Sequence, residues 1–148
     1  MSARTLICAA LVNALKTQIN GVAPYTTNLF SNALDSLKYW DELNDFPFIC
    51  AVAGNEVREY LPGQFKWGHL GISLKVYVRS ETSGADLENL MEDIERVVDS
   101  NRQIAYDPAN PSRRTTEVLI TSIITDEGLL APYGIGEINI KVQYQVLI

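Results

Sequence analysis

The residues able to do chemistry are few and scattered along the chain. The only histidine, His69, sits beside Trp67 in the run Lys66 to Arg79. A catalytic histidine needs an orienting carboxylate and a nucleophile or substrate, and no residue nearby in sequence supplies them. His69 therefore reads as a surface or interface histidine. Glu88, Glu92, Glu95 and Asp99 recur at helical spacing. Two such groups can form an acid–base pair or begin a metal site, but hard cations want several oxygens converging on one point, and a row along a helix diverges from it. A solvated face is the first reading of this row, and an acidic lining or partner face is the second. Arg113-Arg114, in a polar loop, has the chemistry to grip phosphate or to bridge a subunit boundary. Gly134-Ile135-Gly136 matches the start of a dinucleotide fingerprint, but it precedes a strand and Asn139 stands where the third glycine belongs. It reads as a bend or bulge entering the last strand. There is no Walker motif, zinc-ligand spacing or serine elbow. No catalytic, metal-ligating or cofactor-binding residue is assigned, no cofactor is expected, and an enzyme is the weakest class.

Composition narrows the classes further. A chain of 148 residues is one ordinary domain, residues 1–148, and its 47% hydrophobic content is enough for a core that needs neither metal nor disulfide. The net charge of −6 argues against a nucleic-acid-binding surface, which needs clustered Lys and Arg. Cys8 and Cys50 fall in apolar surroundings and read as buried reduced thiols. Arg4 ahead of the apolar run Leu6 to Val12 imitates a signal peptide. However, Leu6, Ile7, Ala10, Leu11, Ala14, Leu15 and Ile19 fit one face of a helix, which is the preferred reading. No stretch is long and apolar enough to span a membrane, so a soluble, cytoplasmic chain is expected.

The elements that must position these residues follow from periodicity. A helix is predicted from about Ala3 to Ile19, ended by Asn20-Gly21. A long connection, Val22 to Asp45, carries Tyr25, Phe30, Tyr39 and Trp40. Its aromatics argue against disorder, and Ser31 to Leu43 suits a short helix because Leu34, Leu37 and Trp40 are spaced by three. If this arm does not pack on its own core, it packs on a neighbour. Phe46 to Ala53 and Glu56 to Leu61 read as two strands joined by a tight turn at Gly54-Asn55. Lys66 to Arg79 is a third, with Leu70, Ile72, Leu74, Val76 and Val78 facing one way and His69, Ser73, Lys75 and Tyr77 the other.

A second helix, about Ala85 to Ser100, has Ser83 as its expected N-cap and buries Leu87, Leu90, Met91, Ile94, Val97 and Val98. After a loop, Asn101 to Arg114, come strands Thr115 to Thr125 and Ile135 to Ile148. The last alternates without a break and is predicted to run to the final residue. The order α-β-β-β-α-β-β gives an α+β fold, a mostly antiparallel sheet of about five strands flanked by two main helices.

Two strings, Trp40-Asp41-Glu42-Leu43-Asn44-Asp45-Phe46-Pro47 and Thr125-Asp126-Glu127-Gly128 through Gly134-Ile135-Gly136-Glu137-Ile138, together with length and element order, make the chain resemble the tail terminator (tail completion) proteins of long-tailed bacteriophages. The resemblance implies a structural virion protein without catalytic residues, assembled in the host cytoplasm. It implies a hexameric ring on the last ring of the tail tube: one face touches the tube protein and stops its growth, and the other receives a head-completion or neck protein. DNA passes through the lumen without specific binding, and no membrane is involved. Within that frame Tyr25, Phe30, Tyr39, Trp40, Arg113 and Arg114 are the expected subunit or partner contacts, and Glu88, Glu92, Glu95 and Asp99 the expected acidic lumen or partner face. The alternatives are a neck or head-completion connector and a small ligand-binding α+β domain.

Overall fold

The computed structural model describes residues 2–147. In chain order it contains α1 (Ala3–Gln18), β1 (Ala33–Leu34), a 3-10 turn at Trp40–Glu42, β2 (Phe48–Leu61), β3 (Phe65–Arg79), α2 (Ser83–Ser100), β4 (Glu117–Thr125) and β5 (Tyr133–Gln145). The strands form one sheet in the order β1-β2-β3-β5-β4; every neighbouring pair is antiparallel except β1 and β2. Both helices cover the same face, α1 over β1 and β2, α2 over β3, β5 and β4. The fold is therefore the expected α+β one, two helices on a mixed, mostly antiparallel five-stranded sheet.

The core lies where two periodicities meet. From the sheet come Leu70, Ile72, Leu74, Val76, Ile138, Ile140, Val142 and Tyr144, alternate residues of the two central strands. From α2 come the six predicted apolar residues, all buried. On α1 the buried stripe is Ile7, Cys8, Leu11, Val12, Ala14 and Leu15, rotated slightly so that Leu6 and Ala10 flank it. Ser2 caps this helix by accepting from the Thr5 N–H at 3.2 Å. Gly21 (φ +79°) then turns the chain away, a conformation that glycine adopts without a Cβ clash.

Several local expectations are corrected. Glu56 to Leu61 is not a separate strand, because Phe48–Leu61 runs through Gly54-Asn55. A two-residue hairpin turn there would need positive φ, which neither residue has. Instead Ala53 pairs with Ile72 and Glu56 with Leu70, so Gly54 and Asn55 together oppose Gly71 in a β-bulge. The real reversal is at Pro62-Gly63-Gln64, where Gly63 and Gln64 have φ of +81° and +61°. The expected helix in Ser31 to Leu43 is replaced by β1 and the 3-10 turn, because the exposed edge of β2 offers hydrogen bonds to the arm. The N-cap of α2 is Thr82, not Ser83, whose side chain is buried; Asp86 reaches back to the hydroxyls of Ser80 and Thr82. The last strand ends at Gln145, not at the final residue. The Val146 N–H still donates to the Lys66 carbonyl at 2.9 Å, and Ile148 lies outside the described residues.

Gly134 and Gly136 make no bulge. They sit in regular register opposite Val78 and Val76, on the side facing α2. A Cβ on Gly134 would lie 2.7 Å from Val78 Cγ2 and 2.9 Å from the Ser83 carbonyl oxygen, and one on Gly136 would collide with the Met91 side chain. The pair lets helix and sheet approach closely. Gly134→Ala should destabilise the protein by about 1–3 kcal/mol through overpacking against the backbone of α2. Urea unfolding of the two proteins measures this, and equal midpoints would show that the approach is not limiting.

Candidate assembly surfaces

The arm 22–45 is pinned at both ends of its path. Fully buried Asp93 of α2 accepts from the backbone N–H groups of Thr26 (3.1 Å) and Thr27 (2.8 Å) and lies 3.4 Å from the Arg96 guanidinium. Arg96 also donates to the Pro24 carbonyl and pairs with Glu92. Leu29 is buried, and its N–H donates to the Ile19 carbonyl. The chain then reverses through Phe30 and Ser31, both at positive φ, and adds β1 to the sheet beside Ile49 and Cys50. Beyond β1 it crosses to the face opposite the helices. There the Tyr77 hydroxyl donates to the Lys38 carbonyl at 2.8 Å. The Trp40 ring lies 4.7 Å from that of Tyr133, which also meets Phe46 edge-on and the Arg79 guanidinium.

The expected contact residues thus divide. Tyr25 and Trp40 are half-buried against their own chain, while Phe30 and Tyr39 project into solvent. The arm packs on its own core and leaves those two rings outward. In the loop 101–114, Arg113 is held 2.9 Å from Asp107 and lies over the Tyr106 ring, whereas exposed Arg114 bonds only the Gln103 carbonyl. Glu88, Glu92, Glu95 and Asp99 are all exposed on α2. Asp93, on the same helix, was missed: its burial can be suspected from its place between Leu90 and Ile94, but its backbone partners lie far away along the chain.

The face opposite the helices is polar beyond the arm. Asn139 bridges Ser73 and Ser122 at 2.9 Å each, Lys75 pairs with Glu137, and His69 Nε2 is 3.5 Å from Glu59. On the helix side, the bulge in β2 turns Glu56 inward, where its carboxylate accepts from the Tyr144 hydroxyl at 2.8 Å and faces Arg4 and Arg58. An open groove of about 610 Å³ between α1 and the loop is lined by Ala9, Ala10, Ile104, Tyr106, Pro108 and Pro111 among others. Among the described residues no set of three potential metal ligands converges, and no helix is long and apolar enough to cross a membrane.

Burial sets the ionisation of the inner groups. It pushes the Cys8 thiol up to about 11, with Asp35 adding to the effect, and raises Cys50 as well; both cysteines are free. Tyr77 is pushed up to about 12 by burial, and Tyr144 to about 12 by burial and by its bond to Glu56. At the exposed pair Arg102–Glu117, two hydrogen bonds of 2.6 and 2.9 Å hold the Glu117 carboxyl below its ordinary value.

Known proteins place this arrangement. Residues 1–147 match the family described as Bacteriophage Tail Tube Terminator Protein. The chain belongs to that family. It is 37% identical to tail tube terminator protein p142 of Escherichia phage T5, over 98% of this chain and 95% of that protein. A solved structure described as the virion of a native gene transfer agent particle contains a chain of the same fold, with a TM-score of 0.62 and 9% identity over 95% of this chain and 98% of that one.

Within this member of the terminator family, Asp93→Ala should free the arm. It removes the charged acceptor of the two threonine N–H groups, and a hydrogen bond to a charged group contributes about 1.5–3 kcal/mol. Limited proteolysis should then cut first within 22–45; an unchanged digestion pattern would show that β1 and Trp40 hold the arm alone. A second expectation concerns pH. The folded Tyr77 and Tyr144 hydroxyls titrate above their ordinary value of 10.0, so the stability they confer is fully present below that pH. It is lost as pH rises toward about 12. Denaturant titrations across this range should show the decline, and Tyr144→Phe should flatten it.

Proposed function

We propose that this chain caps the phage tail tube as a closed hexameric ring, one face stopping tube growth and the other receiving the head-side connector, with DNA passing through the lumen. The observation that carries this reading is the family match along residues 1–147, joined by 37% identity to a named tail tube terminator. The chemistry of the surface supports it. A net charge of −6 suits a conduit that must not hold DNA. A closed ring requires heterologous contacts, in which one patch meets a different one, and the two sides of this molecule differ in charge and shape. Such a cap acts by shape and asks for no reaction. The exposed Phe30, Tyr39 and Arg114 are available to the tube or connector protein, and assembly takes place in the host cytoplasm before the particle is complete.

The test is the mass of the purified protein by light scattering over a concentration series, alone and with tail tube protein added. A six-fold mass in either condition is the expected result. A fixed dimer in both would overturn the ring while family membership stands. In infection, reversing the charges of Glu88, Glu92 and Glu95 should leave circular dichroism unchanged but lower the yield of joined particles; full infectivity would remove the acidic row from the assembly surfaces.

A further inference from the structure

The two edges of the sheet are unlike each other, and both are open. Strand β4, nine residues of sequence EVLITSIIT, contains no lysine, arginine or proline. Its outer edge pairs with nothing among the described residues. Leu119, Ile123 and Ile124 are 40%, 46% and 53% exposed along it. Edges of monomeric proteins are ordinarily blunted by charge, proline or a covering segment, since a row of free N–H and C=O groups invites pairing. At the opposite side β1 covers only Ile49 and Cys50 of β2, leaving the rest of that strand uncovered, with Val57 66% and Tyr60 72% exposed.

We infer that the subunit contact of the ring is made by these two edges, β4 of one copy pairing with β2 of the next and α2 of the first lying beside α1 of the second. The inference rests on the ring reading above and assigns the surface that closes it. Three features select this occupant. First, direction: β2 is antiparallel to β3, β3 to β5 and β5 to β4, so β4 runs opposite to β2. A head-to-tail neighbour then extends the antiparallel order of the sheet, on either side of the bulges at Gly54-Asn55 in β2 and Thr121 in β4. Second, length: the nine residues of β4 fit within residues 51–61, the eleven that β1 leaves uncovered at the end of the fourteen-residue β2. Third, charge: α2 carries Glu88, Glu92, Glu95 and Asp99 outward, and the first three line a shallow recess beside Ile123 of β4. By contrast α1 contains Arg4 and Lys16 and no acid.

The charges on the β2 side are arranged to match. Lys16 lies next to Leu34 of β1, and Arg4 reaches the Gly54 carbonyl of β2. Arg58 projects on the same side and pairs with Glu56, whose side chain is buried beneath Arg4 and Arg58; the exposed carboxylates of this edge are Asp35 and Glu59, the latter on the opposite face beside His69. On the helix side the acidic row of α2 in one copy therefore meets Arg4, Lys16 and Arg58 of the next, whereas a β4-to-β4 pairing would bring two acidic rows together.

The experiment uses two edge-blocked full-length proteins. One carries Leu119→Lys and Ile124→Lys on β4, and the other Val57→Lys and Tyr60→Lys on β2; all four positions are exposed, and circular dichroism verifies the fold. Each protein is measured by analytical ultracentrifugation alone, mixed with the other, and with tail tube protein added. Wild type is expected to reach the ring mass and each blocked protein to lose it. The mixture should give a one-to-one heterodimer and nothing larger, because one intact edge remains on each partner. A third protein, Lys16→Glu, should weaken ring formation, and combining it with Glu92→Lys should restore part of it. If the β4-blocked protein forms rings like wild type, the edge assignment is overturned while the ring reading stands. If the β2-blocked protein dimerises by itself, the contact is β4 to β4 and the inference is wrong. If wild type forms no ring with or without tube protein, both readings fall together.

Discussion

Everything in this fold depends on the ladder between β3 and β5. Residues 67–79 of β3 pair without a break with residues 133–145 of β5, and because side chains alternate, that one register decides which residues lie under the helices. A slip of one position would send Leu70, Ile72, Leu74 and Val76 into solvent and bring Ser73, Lys75 and Tyr77 beneath α2. Such an exchange of a whole core face for polar groups is why the register admits no alternative. The helices then need only fill the apolar face, and the glycines at 134 and 136 mark where α2 comes closest to it.

The opposite face has no such cover, and the arm supplies part of one. It is tied to α2 by a carboxylate and to the sheet by two strand residues and an aromatic cluster, so it bridges both sides of the molecule around the β2 edge. Burying Asp93 is tolerable because its oxygens accept from two backbone N–H groups, with a guanidinium close by. The interaction satisfies charge and backbone at once. It also explains how a long irregular segment stays compact without regular structure of its own.

Seen as an assembly unit, the molecule has polarity in two senses. Its faces differ, one covered by helices and one carrying the arm and a polar network. Its edges differ too, with the acidic row of α2 on the β4 side and the acid-free α1, carrying Arg4 and Lys16, on the side of β1 and β2. Unlike edges favour a neighbour added head to tail over a two-fold partner, the geometry that a closed ring around a conduit requires. Family membership says what kind of particle such a unit serves, and the gene transfer agent chain has the same fold at 9% identity.

Much of the fold could be read along the chain because it rests on short-range periodicity. The apolar face of α2, the alternation of β3 and β5, and the acidic row with its gaps of three and four are all local patterns, and each appears in the structure as read. The family too was legible, since its strings and element order lie along the chain. What stayed hidden depended on contacts between distant residues. Gly54-Asn55 has the composition of a turn, and only the long partner strand with Gly71 opposite makes it a bulge. The three-residue spacing in the arm suits a helix, but the open edge of β2 draws those residues into a strand. Asp93 looks like one more acid on a polar helix until the arm folds over it. Which charged residues are free for a partner, Arg114 but not Arg113, likewise follows from side-chain pairing in space. Periodicity fixes which face a residue occupies; the partner it meets there is set by chain closure, which brings together groups that no local window contains.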